Sequence, residues 1–184
     1  MAPGPWAITA LLFVAAAAQL RVQGRLWWCA CGGWNPWSGD TWSRHNSQHL
    51  ADAYLFSHVL HGFLFAGALA WLTPRLAAAW RLAISTGIET AWEIIENTEF
   101  VINRYREVTA SLDYRGDTVA NSLGDILGCT LGLWLARVLG LWRTVAIAIA
   151  VELVMLGWIR DNLTLNVLML LWPVPAIREW QSAL

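Results

Sequence analysis

Five apolar runs close to the length of a membrane-crossing helix follow one another along this chain, at residues 5–20, 56–73, 77–95, 118–139 and 142–159. A bilayer core about 30 Å thick takes about 20 apolar residues in helical form. No open sheet satisfies its backbone polar groups there. The pattern predicts an all-α, polytopic membrane helix bundle. A sixth run, 163–172, is about half a span. Continued to Ile177, it reads either as a short sixth span or as a re-entrant or interfacial helix. We expect five full transmembrane helices plus a short sixth, in a single integral membrane domain over residues 1–184.

Composition points the same way. The chain is 57% hydrophobic and 14% charged, against about 25% charged in soluble domains. With a formal net charge of −1 and no basic patch, nucleic acid is excluded as a partner, and membrane lipids are the expected surroundings. Trp6, Trp71, Trp80, Trp142, Trp158 and Trp172 stand near predicted segment ends, where indole favours the membrane interface. The first run can be read as a signal peptide, with small residues at 15–18 for cleavage. Residues 1–5 carry no basic side chain and further spans follow, which favours a retained helix. The short turns bearing Arg75 and Arg81, and Arg137 and Arg143, carry no acid. The positive-inside rule places both in the cytoplasm, with the amino terminus inside and the 21–48 loop outside. Arg104, Arg106 and Arg115 in the outer 99–117 loop weigh against this orientation.

Within the third run, Glu89, Glu93 and Glu96 fall at i, i+4 and i+7 and share a helix face, which Ser85 and Thr86 extend. Ionisable groups at membrane depth cost roughly 2.5–3.5 kcal/mol each and suggest a functional site by default. His58 and His61 share a face early in the second run. Asp117, Asn121 and Asp125 open the fourth at four-residue intervals, and Arg160, Asp161 and Asn162 follow the fifth. Antiparallel succession puts all of these near one membrane face, with Glu152 deeper. The candidate polar pocket is therefore His58, His61, Glu89, Glu93, Glu96, Asp117, Asn121, Asp125, Arg160 and Asp161. Gly124, Gly128 and Gly132 follow on the Asp117/Asn121 stripe; such small residues let helix backbones approach closely.

Two readings of this cluster stand side by side. Carboxylates, amides and Arg form hydrogen-bonded networks that lock bundles. Equally, clustered carboxylates at low dielectric make a proton carrier or general acid. The histidines are possible metal ligands, but the Glu-x-x-His spacing of carboxylate-bridged metal sites is absent. Hydrogen bonding to carboxylates is the favoured role for them. Cys29 and Cys31 are separated by one residue. That gap is poor for a disulfide and shorter than usual zinc spacing; with His45 and His49 nearby, a Cys/His metal site is the minority reading. Asn46, Ser47 and Gln48 read as a polar helix start, and Asp40 and Ser43 as turn or cap residues. No nucleophile elbow or phosphate loop occurs.

The strings CACG, SGDTWSRHNSQHLADAYLFSHVLHGFLF, ETAWEIIENTEFVINRYR, LDYRGDTVANSLGDILGC and RDNLTLNVLMLLWP resemble an uncharacterised bacterial family of multi-pass inner-membrane proteins, of the UPF0314 type. The resemblance covers about residues 24–181. It implies the inner membrane and the topology, and no chemistry. A looser similarity reaches the VanZ-like membrane proteins. The corresponding residues here are His61 (or His58), Glu93 (or Glu89), Asp117, Asn121 and Gly124. The long Trp-rich loop departs from that pattern. The expected function is that of an inner-membrane protein with a polar pocket near the outer leaflet, binding a lipid or envelope precursor. The alternatives are a membrane-embedded metal-assisted hydrolase acting on a lipid headgroup and a small proton-coupled transporter. Neither a specific cofactor nor an oligomeric state follows from the sequence.

Overall fold

The computed structural model describes residues 3–109 and 114–183, and eight helices lie among them. These are α1 (Pro5–Val22), α2 (Leu55–Leu72), α3 (Ala78–Glu96), α4 (Glu99–Val108), α5 (Val119–Leu139), α6 (Leu141–Ile159), α7 (Leu163–Leu171) and α8 (Pro175–Ser182). Four of them, α1, α2, α5 and α6, are long and apolar enough to cross a membrane. α3 has the length, with 19 residues, but Arg81, Glu89, Glu93 and Glu96 set it apart in composition. The tryptophans expected at segment ends are exposed in every case, from 39% at Trp80 to 82% at Trp142.

The sixth apolar run forms one short helix, but its continuation to Ile177 does not belong to it. α7 has nine residues and stops before Pro173, and α8 starts afresh at Pro175. Proline lacks the N–H and clashes with the preceding turn, so the pair interrupts the helix that hydropathy alone would join. Nine residues at 1.5 Å each reach about 14 Å, less than half the hydrocarbon core. The two oxygens of Glu152 accept the amides of Leu163 (3.0 Å) and Thr164 (3.1 Å). The start of α7 thus lies back alongside α6, about two turns before its end, and a carboxylate caps it. α4 falls in the stretch expected as a loop. Its cap is Thr98, whose side chain accepts from Val101, with Glu99 in the first turn.

The tightest packing joins α2 and α5. A Cβ on Gly62 would collide with the backbone of Cys129, Gly132 and Leu133; one on Gly132 would meet the Val59 carbonyl; and one on Gly128 would press on Leu55. The small-residue stripe therefore does what its spacing suggests, bringing two backbones together. α1 packs along α3, burying Ala16 and Leu20, and Gln23 donates to the Ile94 carbonyl.

Between α1 and α2 the chain makes turns and two short strands, β1 (Trp37–Ser38) and β2 (Ala51–Asp52), paired in parallel. Asn46, Ser47 and Gln48 lie in these turns, and α2 begins only at Leu55. They are no helix start, because Ser47 sits at φ 58° and its amide goes to the Asp52 carboxylate at 2.8 Å. Asp40 and Ser43 do form a turn, with the Trp42 amide on Asp40 Oδ1 and Ser43 Oγ on the Asp40 carbonyl. Cys29 and Cys31 depart from the expected separation: their Cα atoms are 5.2 Å apart and their sulfurs are in bonding contact. The chain turns there, with the Gly32 amide returning to the Cys29 carbonyl and Gly32 at φ 76°. The loop docks on the start of α5. Leu26 and Trp27 carbonyls accept the Val119 and Ala120 amides, and Ser47 accepts from Thr118. Amides that a helix start leaves unpaired are satisfied in this way.

Candidate functional site

The polar residues converge where early α2, late α3 and early α5 meet, just inside the docked loop. Ser85, Thr86, Glu89 and Glu93 are each 0% exposed, so the carboxylate stripe faces helices rather than lipid. His58 Nδ1 lies 2.6 Å from Glu89 Oε1 and 3.3 Å from Glu93 Oε1, while its Nε2 is 3.9 Å from Asp125 Oδ2. His61 Nδ1 is held at 3.0 and 3.1 Å by the two oxygens of Glu89. The two imidazoles meet edge to face at 5.1 Å. One carboxylate thus orients both histidines, and His58 stands between acids from two helices.

A second knot lies toward the loop. Asp117 accepts from Asn97 Nδ2 (2.8 Å) and from the Tyr114 hydroxyl (2.9 Å), and its own amide donates to Asn97 Oδ1 (2.7 Å). Asn97 Nδ2 also reaches the Glu93 carbonyl and Ser122 Oγ. Burial raises the Asp117 carboxyl above its usual range, and those hydrogen bonds only partly offset this. Asp52 is raised chiefly by burial as well, against the Tyr54 and Ser47 amides that it accepts. Tyr105 and Tyr114 are pushed well up by burial, with Glu96 and Asp117 respectively the main carboxylates adding to it. Asp161, whose Oδ2 accepts from the Tyr54 hydroxyl at 3.1 Å, is raised by burial to about 6.

A cavity of about 70 Å³ separates the knots, lined by His58, His61, Glu96, Asp117, Asp125 and Asp161 among others. That is room for a few waters or an ion. Tyr54, Trp92, Tyr105, Tyr114 and Asn166 also belong to its wall, and no arginine lines it. Glu89, Glu93 and Asn121 stand behind the wall. Neither oxygen of Glu93 accepts a hydrogen bond among the described residues, nor does Asp125 Oδ1, and Asn121 Nδ2 donates none. Buried polar atoms without partners are rare and call for an explanation. The ligand atoms of His58, Glu93 and Asp125 lie within 4.8 Å of one another, as do those of His58, His61 and Glu89 and those of Glu93, Glu96 and Asp117.

The structure thus assembles nine of the ten candidates. Arg160 is the exception: its guanidinium donates to the Trp180 carbonyl at 2.9 Å and lies over the Trp180 ring, so it fastens α8. Glu152 is likewise spent on the α7 cap. Sequence reasoning missed Asn97, Asp52 and Tyr114. Asn97 carried a readable signal, since it lies four residues after Glu93 on the same face. Asp52 and Tyr114 sit in loops whose path no periodicity reveals.

A family described as "Protein of unknown function (DUF2585)" matches residues 20–183. A "UPF0314 protein" of Paracoccus denitrificans is 52% identical over 180 residues, which cover 98% of this chain and 93% of that one. Another from Sphingopyxis alaskensis is 49% identical over 177 residues, covering 96% and 94%. A third, from Rhizobium meliloti, is 50% identical over 169 residues, covering 90% and 86%. None of these matches carries the VanZ-like similarity. No solved structure matches the chain.

Proposed function

The chain belongs to the DUF2585 family, and we propose that it is a multi-pass inner-membrane protein whose core holds a divalent metal ion and uses it on the headgroup of a lipid or envelope precursor. The observation that carries this reading is the charge imbalance of the site. Glu89, Glu93, Glu96, Asp117 and Asp125 converge on two histidines, with no arginine lining the cavity. Three buried carboxylate oxygens there accept no hydrogen bond among the described residues. Oxygen and imidazole donors of this kind suit magnesium, manganese or zinc. A bare phosphate would be repelled by such a pocket, and a metal ion inverts that field.

His58, Glu93 and Asp125 are the first choice of ligands, with Glu89 fixing the His58 ring. A bound ion polarises a phosphoryl or acyl oxygen and lowers the pKa of a bound water. Glu96 and Asp117 line the same cavity and are placed to take up the water's proton. In this reading the whole chain is one integral domain. α3 crosses the membrane as a fifth span, shielded by α1, α2 and α5, and the pocket opens near the outer leaflet with the amino terminus in the cytoplasm. A lipid- or precursor-binding accessory role is the second reading. Trp92, Leu163 and Val167 favour it, because they place apolar surface beside the polar groups on the cavity wall.

The test is manganese binding to the detergent-purified chain, followed by electron paramagnetic resonance, with Glu93→Gln and His58→Ala beside the wild type. The proposal expects tight binding that both variants lose, together with metal-dependent headgroup release from lipid vesicles. A co-purifying lipid in native mass spectrometry without manganese binding would favour the accessory role. A core that takes up neither would leave only a hydrogen-bonded network.

A further inference from the structure

Four ligand-type side chains meet outside the bundle, in the loop before α2. The ligating atoms of Cys29, Cys31, His45 and His49 all lie within 4.8 Å of one another. His45 Nδ1 stands 3.6 Å from Cys29 Sγ and 3.3 Å from His49 Nε2. Zinc binds nitrogen at about 2.0–2.1 Å and sulfur at about 2.3 Å, so the edges of its tetrahedron measure roughly 3.3–3.7 Å. The two observed separations are of that size.

The surroundings prepare these atoms as ligands. His49 Nδ1 is 2.5 Å from the Asn35 carbonyl, so that nitrogen carries the proton and donates it. Its Nε2 is then left with a free lone pair facing His45. A ring N–H fixed on a backbone carbonyl is the usual outer support of a metal-bound histidine. The Cys31 amide donates to Cys29 Sγ at 3.2 Å, a contact that steadies thiolate charge. A single proton on His45 Nδ1 can serve only one of its two close neighbours, whereas one ion serves both. The sequence agrees on the histidine side. His45 and His49 have the H-x3-H spacing of zinc sites, and only the Cys pair is closer than usual. The Cys29 and Cys31 sulfurs are in bonding contact in this structure, so both can serve one ion only in the reduced, dithiol form, and the 5.2 Å between their Cα atoms suits two ligands of one ion as well as it suits a bridge.

We propose that, when Cys29 and Cys31 are reduced, they form a tetrahedral zinc site with His45 and His49. Four protein ligands close its coordination shell, so its role is structural. The two histidines bracket Asn46, Ser47 and Gln48. Ser47 accepts from the Thr118 amide and Gln48 Nε2 donates to the Gly116 carbonyl, while Asn46 and Ser47 line the bundle cavity. The ion therefore clamps the segment that closes that cavity over the start of α5. The site is independent of any metal in the bundle core.

Cobalt substitution tests it on the full-length chain, purified in detergent with a non-chelating reductant. The expected result is one cobalt equivalent showing a thiolate-to-metal charge-transfer band and the visible bands of a tetrahedral ion, both removed by zinc. Cys29→Ser/Cys31→Ser should lose these bands, and Glu93→Gln, which alters only the carboxylate core, should keep them. The wild-type spectrum is diagnostic even if the cysteine variant fails to fold, because a carboxylate and histidine site gives no thiolate band. A reduced wild-type chain that binds no thiolate-ligated cobalt would overturn the proposal. Bands that persist in Cys29→Ser/Cys31→Ser would do the same.

Discussion

Replacing Gly62 by alanine adds one methyl group at the α2–α5 contact, and the obstacles it meets are all backbone. The new Cβ would collide with the Cys129 carbonyl oxygen and stand 2.6 Å from the Leu133 nitrogen and 2.9 Å from the Gly132 carbonyl carbon. None of these can rotate away, so the helices must separate by about 1 Å. A gap of that size forfeits a quarter to a half of each dispersion contact along the seam. Overpacking of this kind costs about 1–3 kcal/mol. Gly67 lies on the same helix with nothing within 4 Å of an added Cβ and no positive φ. Alanine there should stabilise by about 1 kcal/mol through helix propensity alone. The propensity gain is common to both variants, so Gly62→Ala should be the less stable of the two by the overpacking cost, roughly 1–3 kcal/mol. Reversible unfolding in mixed micelles, followed by far-ultraviolet circular dichroism, reads the difference. Equal shifts within about 0.5 kcal/mol, the scatter of inconsequential substitutions, would refute the close-approach argument. Gly140 is a poor control for this purpose, because its φ of 75° strains any side chain.

Other expectations follow from the same geometry. His61→Ala and Glu89→Gln, which remove the two partners of a 3.0 Å contact, should couple by about 0.5–3 kcal/mol in a double-mutant cycle. His61→Ala with Glu93→Gln should couple less, and the reverse order would mean that the carboxylates around the two histidines are arranged differently. Burial raises Asp161 from 3.8 to about 6, so the folded state binds its proton more tightly than the unfolded one. Its contribution to stability is therefore greatest below pH 3.8 and falls away as pH rises to about 6. Asp161→Asn should flatten that part of the stability profile, and an unchanged slope would show that Asp161 is not the group responsible. A reporter active only outside the cytoplasm should work when fused after Trp34 and stay silent when fused at Gly140; the opposite pattern reverses the orientation.

Much of the site was legible because helical spacing is geometry. Glu89 and Glu93 share a face whatever surrounds them, and so do His58 and His61, so antiparallel order suffices to bring them together. The Gly124, Gly128 and Gly132 stripe was readable for the same reason. What escaped depends on contacts distant in sequence. Arg160 has the composition of a pocket residue, yet Trp180 takes its guanidinium. Glu152 resembles a buried acid in an apolar run, yet it faces the α7 amides once the chain folds back. The break between α7 and α8 was written in Pro173 and Pro175, and apolar counting overrode them. α4 was hidden because its polar sequence lacks the hydropathy by which the other helices were found.

The glycine seam has a mechanical consequence. His58 rides on α2 and Asp125 on α5, and the seam lets those helices neither slide by a residue nor roll about their axes without driving a side chain into a carbonyl. This wall of the cavity behaves as a fixed jaw, and its histidine-to-carboxylate spacing is set by backbone rather than by rotamers. The opposite wall is joined differently. α4 and α7 meet through a Tyr105–Asn166 hydrogen bond and the Arg104 guanidinium on the Leu170 carbonyl, contacts that hold direction without interlocking. Side-chain rotation can part those contacts, whereas the α2–α5 seam beneath His58 cannot open without moving backbone.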